Sequence, residues 1–334
     1  MILEVDDLHV HYRTGRGTVR AVDGARFEVP RGAVVGLVGE SGCGKTTVAR
    51  AITGVMARNA AVAGGAIRFD GTDLTRLAER DYAALRWRSI AFVPQSAMNS
   101  LDPVYRVGTQ LAEVLTLRGG LSREAADRRA AELFELVGLD PSRLRDYPHQ
   151  FSGGMRQRAA IALALALDPK LVIADEPVTA LDVIVQRQVL DVVRTLQKRL
   201  KLSMILVTHD ISVVAYVCDR VVVMYAGQVV ESGPTGTVLE RPSHPYTMGL
   251  TNAFPDLERS GGELVPIEGD PPDLVAPPTG CRFAARCPFV LAQCREAPPP
   301  MTALEDGHAA ACWRIAEAAA LRSLAGEVAT WQRS

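Results

Sequence analysis

Two short stretches carry residue types suited to phosphate chemistry. Gly39-Glu40-Ser41-Gly42-Cys43-Gly44-Lys45-Thr46 follows the apolar run Val34–Val38 and precedes a helix-forming stretch. Gly39, Gly42 and Gly44 let consecutive backbone N–H groups wrap phosphate oxygens with no Cβ in the way. A helix opening near Lys45 adds the positive end of its dipole. Lys45 can reach the β- and γ-phosphates of a nucleoside triphosphate, the Thr46 hydroxyl can coordinate Mg²⁺, and Ser41, Cys43 and Thr47 complete the cradle. The second stretch, Leu171-Val-Ile-Ala-Asp175-Glu176, is an apolar strand ending in two carboxylates. There Asp175 is expected to hold Mg²⁺ and Glu176 to polarise or deprotonate the attacking water.

The elements that must position these residues follow from the apolar pattern. Strand-like runs at Val34–Val38, Ile90–Val93, Leu171–Ala174, Met204–Val207 and Arg220–Met224 alternate with helix-like stretches, which predicts an α/β fold with a largely parallel sheet. Ahead of it, Leu8, Val10 and Tyr12 alternate with polar residues, as do Val22 to Val29. These read as a half-buried antiparallel β layer. Between Gln95 and Phe151 the pattern turns helical, with Ser122 as a cap and Gly138 as a stop. We read a helical insertion over about 96–165. From about Pro255 the texture becomes Pro- and Gly-rich (Gly261-Gly262, Pro266, Pro271-Pro272, Pro277-Pro278), then Cys-rich, and it closes on an amphipathic stretch, Ile315 to Trp331. The expected organisation is a main domain over 1–255 and an extension over 256–334.

With 48% apolar and 22% charged residues the chain has the make-up of a globular protein. Its 37 basic and 38 acidic residues leave a net charge of -1, which argues against a protein built to coat nucleic acid. The longest apolar run, Ala159 to Leu167, falls far short of the roughly 18–20 residues a membrane span needs. The N-terminus lacks the basic start and apolar stretch of a secretory signal. A cytosolic chain is the expectation, with any membrane spans supplied by partners.

Phe151-Ser152-Gly153-Gly154-Met155-Arg156-Gln157 narrows the reading. A serine and two glycines at a helix start, here leading into Met155 to Leu167, make a second anion cradle. At this point the sequence resembles the ATP-binding cassette (ABC) family of P-loop NTPases. In order along the chain, Gln95 is similar to the family's glutamine that touches Mg²⁺ and senses the membrane partner. Ala180-Leu181-Asp182 resembles the loop that crosses the dimer interface. His209 matches the histidine that contacts the γ-phosphate, and Tyr12 the aromatic that stacks on adenine. For Tyr12 a half-buried strand tyrosine is the competing reading. The resemblance covers roughly residues 1–250. It implies that Ser152, Gly153 and Gly154 of one subunit face the phosphate loop of another, sandwiching two ATP molecules in a head-to-tail dimer.

Met98-Asn-Ser-Leu-Asp-Pro103, Ser243-His-Pro-Tyr246-Thr247 and Cys281-Arg-Phe-Ala-Ala-Arg-Cys287-Pro resemble the ATPases of dipeptide, oligopeptide and nickel importers. The resemblance implies peptide uptake through two permease subunits, an extracytoplasmic binding protein and a second, related ATPase, at the cytoplasmic face of the membrane. Nickel or another solute, or a non-transport ABC ATPase, are the alternatives. Cys281, Cys287, Cys294 and Cys312 are spaced C-x₅-C-x₆-C-x₁₇-C. Zinc sites prefer tighter C-x₂₋₄-C pairs, whereas four thiols suit a [4Fe–4S] cluster. The cluster is therefore expected ahead of zinc or free thiols, as a staple for a module with little core.

Overall fold

The computed structural model describes residues 1–95, 97, 100–179, 181–252 and 267–332. Met98, Asn99, Ala180, Pro255, Gly261, Gly262 and Pro266 therefore lie outside the described residues, as does the expected boundary near 255. The chain divides into two compact units. One comprises 1–3, 29–34 and 69–207, the other 4–28, 35–68 and 208–334.

The first unit is built on three parallel strands. Leu171–Asp175 lies between Ile90–Val93, in register Ile90 to Leu171, and Ser203–Thr208, in register Asp175 to Val207. Every residue of Leu171–Asp175 is buried. Such a strand reads as a continuous apolar run because both faces of a parallel sheet are covered. Helices Val107–Leu117, Arg123–Leu136, Gly153–Ala164 and Val183–Leu200 belong to the same unit. Ser122 caps Arg123–Leu136 by accepting from the Ala125 N–H, and Gly138 follows it at φ +70°, as the sequence predicts. Phe134 and Phe151 meet edge to face, 6.4 Å between centroids, and tie that helix to the segment before Gly153.

The second unit contains two sheets. Leu3–Thr14 and Gly17–Val29 are neighbours joined by a two-residue turn, which makes them antiparallel, and Ala60–Phe69 lies on the other side of Leu3–Thr14. In the other sheet, Val35 to Val38 pair in parallel with Arg220–Tyr225. Arg220–Tyr225 pairs antiparallel with Gln228–Pro234, with a bulge between Val229 and Glu231. The C-terminal extension continues this sheet. Ala309–Ala310 pairs with Ser232 and Glu231, and Thr302–Ala303 adds the outermost strand. Pairing covers an edge that would otherwise present unsatisfied N–H and C=O groups. The closing stretch folds as a short 3₁₀ turn, Ile315–Glu317, and the helices Ala318–Ala325 and Val328–Trp331. No described helix is long and apolar enough to cross a membrane.

Candidate active site and cysteine cluster

The expected phosphate loop lies in the second unit, between the strand ending at Val38 and the helix Lys45–Thr53. Its glycines are required by geometry. Gly39 (φ +153°) has no room for a side chain, since a Cβ there would lie 2.1 Å from the Met224 carbonyl oxygen. Gly44 (φ +105°) is equally constrained, its Cβ 2.4 Å from the Ala21 carbonyl oxygen. Lys45 is 5% exposed, and its Nζ donates to the carbonyls of Gly39 (2.6 Å) and Glu40 (2.9 Å). The ammonium thus closes the loop on itself, which satisfies a buried cation without a carboxylate. Cys43 is buried, and burial pushes its thiol up, so it acts as a small apolar residue in the loop. Ser41 and Gly42 are exposed, and Thr46 and Thr47 half-buried. Tyr12 is also half-buried, and its hydroxyl lies 3.3 Å from Thr47 Oγ1, beside the first turn of Lys45–Thr53. His209 is in this unit too, exposed just past the end of Ser203–Thr208.

The first unit carries the acids. Asp175 ends its strand at 1% exposure. Glu176 follows in the left-handed region (φ 48°), which an L residue other than Asn or Asp seldom adopts. Two restraints hold it there. Its N–H donates to the Val207 carbonyl (2.8 Å), and its carboxylate Oε2 accepts from Gln95 Nε2 and from Thr179 Oγ1, both at 3.0 Å. Gln95, expected from sequence to touch Mg²⁺, is brought into direct contact with the expected catalytic carboxylate. Thr179 went unnoticed in the sequence, although its spacing three residues after Glu176 permits this bond. Ser152 caps the helix Gly153–Ala164, its Oγ accepting from the Met155 N–H at 3.3 Å. A Cβ on Gly154 would lie 2.4 Å from Val185 Cγ1, so this glycine also lets two helices approach closely. Asp182 caps the second of them, Val183–Leu200, by accepting from the Val185 N–H.

The four C-terminal cysteines come together. Cys281, Cys287, Cys294 and Cys312 line one cavity, with Phe283, Phe289 and Trp313 among its walls. None of the four is in a disulfide. Burial pushes Cys287 up to about 12 and Cys312 up to about 11, and raises Cys281. Backbone N–H groups oppose that rise. Those of Phe283 and Ala284 face Cys281, that of Phe289 faces Cys287, and that of Arg314 lies 3.4 Å from Cys312 Sγ. Amides aimed at sulfur stabilise the thiolate form that a metal ligand needs.

Among the described residues, one group of three or more possible ligands has its donor atoms within 4.8 Å of one another: His9, His11 and Asp23. Asp23 gives one oxygen to His9 Nδ1 (2.9 Å) and the other to buried Arg282. Burial works to raise the Asp23 carboxyl, but Arg282 and His9 hold it below the ordinary carboxylate range. The group reads as an anchor for Arg282 rather than as a metal centre.

The Ser243–Thr247 segment, singled out in the sequence, gains a structural role. Glu231, 0% exposed, accepts from the N–H groups of Ser243 (2.6 Å) and His244 (2.9 Å) and pairs with His308 Nε2 (2.7 Å). Burial lowers His244 to about 3, so its ring is neutral and accepts from the Tyr246 N–H (3.0 Å).

Residues 22–179 match the family model described as ABC transporter, and 230–294 match that of the oligopeptide/dipeptide transporter C-terminal region. The chain is 45% identical over 315 residues to the dipeptide transport ATP-binding protein DppD of Bacillus subtilis, covering 93% of this chain and 94% of that one. It is 43% identical over 319 residues to the oligopeptide transport ATP-binding protein OppD of Salmonella typhimurium, covering 95% of each. Among solved structures, the dimeric post-hydrolysis state of the cassette MJ0796 with ADP and Pi is 26% identical, with a TM-score of 0.63, over 70% of this chain and 98% of that one. The CbiO1 cassette of Clostridium perfringens gives 26% and 0.61, over 72% and 90%.

Proposed function

This chain belongs to the ABC transporter ATPases, and from that premise we propose that it is the ATP-hydrolysing subunit of a peptide importer. The observation that carries the peptide class is the oligopeptide/dipeptide C-terminal region at 230–294, in a chain that aligns nearly end to end with dipeptide and oligopeptide transport ATPases. ATP and Mg²⁺ are the cofactors of such an ATPase. In this reading Gly39 to Thr47 cradle the phosphates and Tyr12 stacks on adenine. Thr46, Gln95 and Asp175 hold Mg²⁺, Glu176 activates the water, and His209 contacts the γ-phosphate. The Ser152–Gly154 turn and Asp182 serve the facing subunit, a second and related ATPase. ATP binding closes the pair, hydrolysis reopens it, and two permease subunits at the cytoplasmic face of the membrane take up the motion. An extracytoplasmic binding protein supplies the peptide.

The test is a gentle detergent pull-down of the tagged chain from its native membranes. Two polytopic membrane proteins and a second ATPase should co-purify, and recovery of soluble partners alone would overturn the transport reading.

For the cysteines we favour a [4Fe–4S] cluster over zinc. Tetrahedral zinc with thiolates at 2.3 Å needs sulfurs about 3.8 Å apart. All four sulfurs line one cavity, but among the described residues no three of them lie within 4.8 Å of one another. An apolar site with four thiols and N–H groups aimed at the sulfurs suits the cluster. When bound, the cluster would cross-link the extension. Anaerobic purification should give about four irons per chain, as four thiolates hold one such cluster. Stoichiometric zinc without iron would refute this assignment.

A further inference from the structure

The second residue of the phosphate loop, Glu40, has every polar group engaged. Its N–H donates to Tyr246 Oη at 2.8 Å, and its carbonyl accepts from Lys45 Nζ at 2.9 Å. Its carboxylate takes two parallel bonds from one guanidinium, Arg286 Nη1 to Oε2 at 2.7 Å and Nη2 to Oε1 at 2.9 Å. A forked pair of this kind fixes orientation as well as distance. Two of these three partners, Tyr246 and Arg286, come from the C-terminal part of the chain, more than 200 residues from the loop.

Arg286 is itself immobilised. It is 8% exposed, and it also donates to the carbonyls of Glu268 (2.9 Å) and Ile267 (3.0 Å) and to Tyr225 Oη (3.2 Å). Its guanidinium lies 5.7 Å from the Tyr225 ring centroid and 6.0 Å from that of Phe283. Burial works against its charge, but Glu40 and Tyr225 hold it firmly protonated. A second strut runs from the same segment. Arg282 donates to the Ala226 carbonyl and pairs with Asp23, and the adjacent Gly227 N–H donates to the Cys43 carbonyl (2.9 Å) in the loop. Loop residues 40 and 43 are thus braced from the stretch between Cys281 and Cys287.

A carboxylate in a loop meant for polyphosphate is unfavourable unless it is neutralised. We infer that Arg286 is a positioning residue for ATP binding: it cancels the Glu40 charge and holds the loop in its phosphate-accepting form, so that the cysteine extension sets nucleotide affinity. This rests on the reading of Gly39–Thr46 as the phosphate site. The extension therefore does more than fill a sheet edge. Whatever holds the Cys281–Cys287 segment in shape also holds the nucleotide loop.

The experiment measures MgATP affinity of the full chain with a fluorescent ATP analogue, alongside thermal unfolding. Arg286→Met should weaken binding about tenfold or more, the order expected for one uncompensated charge near phosphate at an effective dielectric of roughly 20. Removing that charge in the same background, Arg286→Met with Glu40→Gln, should recover most of the affinity, which mere support of the fold would not do. Should the Met variant fail to fold, Arg286→Gln, which keeps polar donors but no charge, makes the same comparison with and without Glu40→Gln. Binding within about twofold of the unmodified chain after Arg286→Met, a difference worth less than half of the 1.4 kcal/mol per decade, would overturn the inference. So would a further loss on adding Glu40→Gln. If the unmodified chain itself bound no MgATP, the proposed function would fall first.

Discussion

Glu176→Gln is expected to leave MgATP binding intact and to lower the hydrolysis rate about 10²–10⁴-fold, the range for removing a positioned general base. The substitution is nearly isosteric, so the position should survive it. The backbone bond from Glu176 N–H to the Val207 carbonyl is untouched, and a Gln Oε1 can still accept from Gln95 and Thr179 as the carboxylate does at 3.0 Å. Only the negative charge and the proton-accepting capacity disappear. Losing a negative charge gives no reason for weaker binding of an anion such as ATP, so affinity and turnover should separate. The check is an equilibrium binding constant beside phosphate release by the assembled transporter. Turnover within a few-fold of the unmodified protein would remove Glu176 from the catalytic role, and lost binding would mean that its contribution is structural.

The second large effect is expected at Gly39. Gly39→Ala puts a methyl 2.1 Å from the Met224 carbonyl oxygen and 2.9 Å from Cys43 Sγ, on a backbone at φ +153°. The carbonyl belongs to the strand Arg220–Tyr225, so no side-chain rotation relieves the collision. The loop and the strand must separate. That should cost about 3 kcal/mol or more, at the upper end for strained and overpacked positions. ATP binding should vanish with it. Gly42→Ala provides the contrast. Gly42 is also left-handed (φ +80°), but a Cβ there meets nothing within 4 Å, so only the backbone cost of about 1–2 kcal/mol applies. Denaturant unfolding of the two variants checks this. Equal losses would show that contact with Met224 is not what requires a glycine at 39.

How much of this was legible depends on how local each requirement is. The phosphate loop needs glycines at fixed offsets and a helix immediately after it, and all of that lies within Gly39–Thr53. The buried parallel strands were legible for a similar reason, since Leu171–Ala174 and Met204–Val207 are apolar throughout. The strand Ala60–Phe69 escaped notice. It buries only Ile67 and Phe69 and contains Gly64-Gly65, so neither alternation nor a continuous apolar run marks it.

The C-terminal extension shows where local reading ends. Its cysteines and prolines stand out in the sequence, and their gathering into one cavity could be expected from their number and spacing. Nothing local tells that Ala309–Ala310 extends the sheet beside Gln228–Pro234, or that Glu231 is satisfied by Ser243, His244 and His308. Nor is it local that an arginine beside Cys287 reaches a glutamate in the phosphate loop. By itself, then, the sequence determined the glycine-rich loop ahead of a helix, the carboxylates at a strand end and the order of the elements, because those rest on spacings within a single turn or strand. The tertiary structure alone decided what braces Glu40, how Glu176 is held at a left-handed position and which sheet edge the extension covers. Those contacts join residues far apart in the chain, and partner choice there depends on burial and on satisfying polar groups across the packed core.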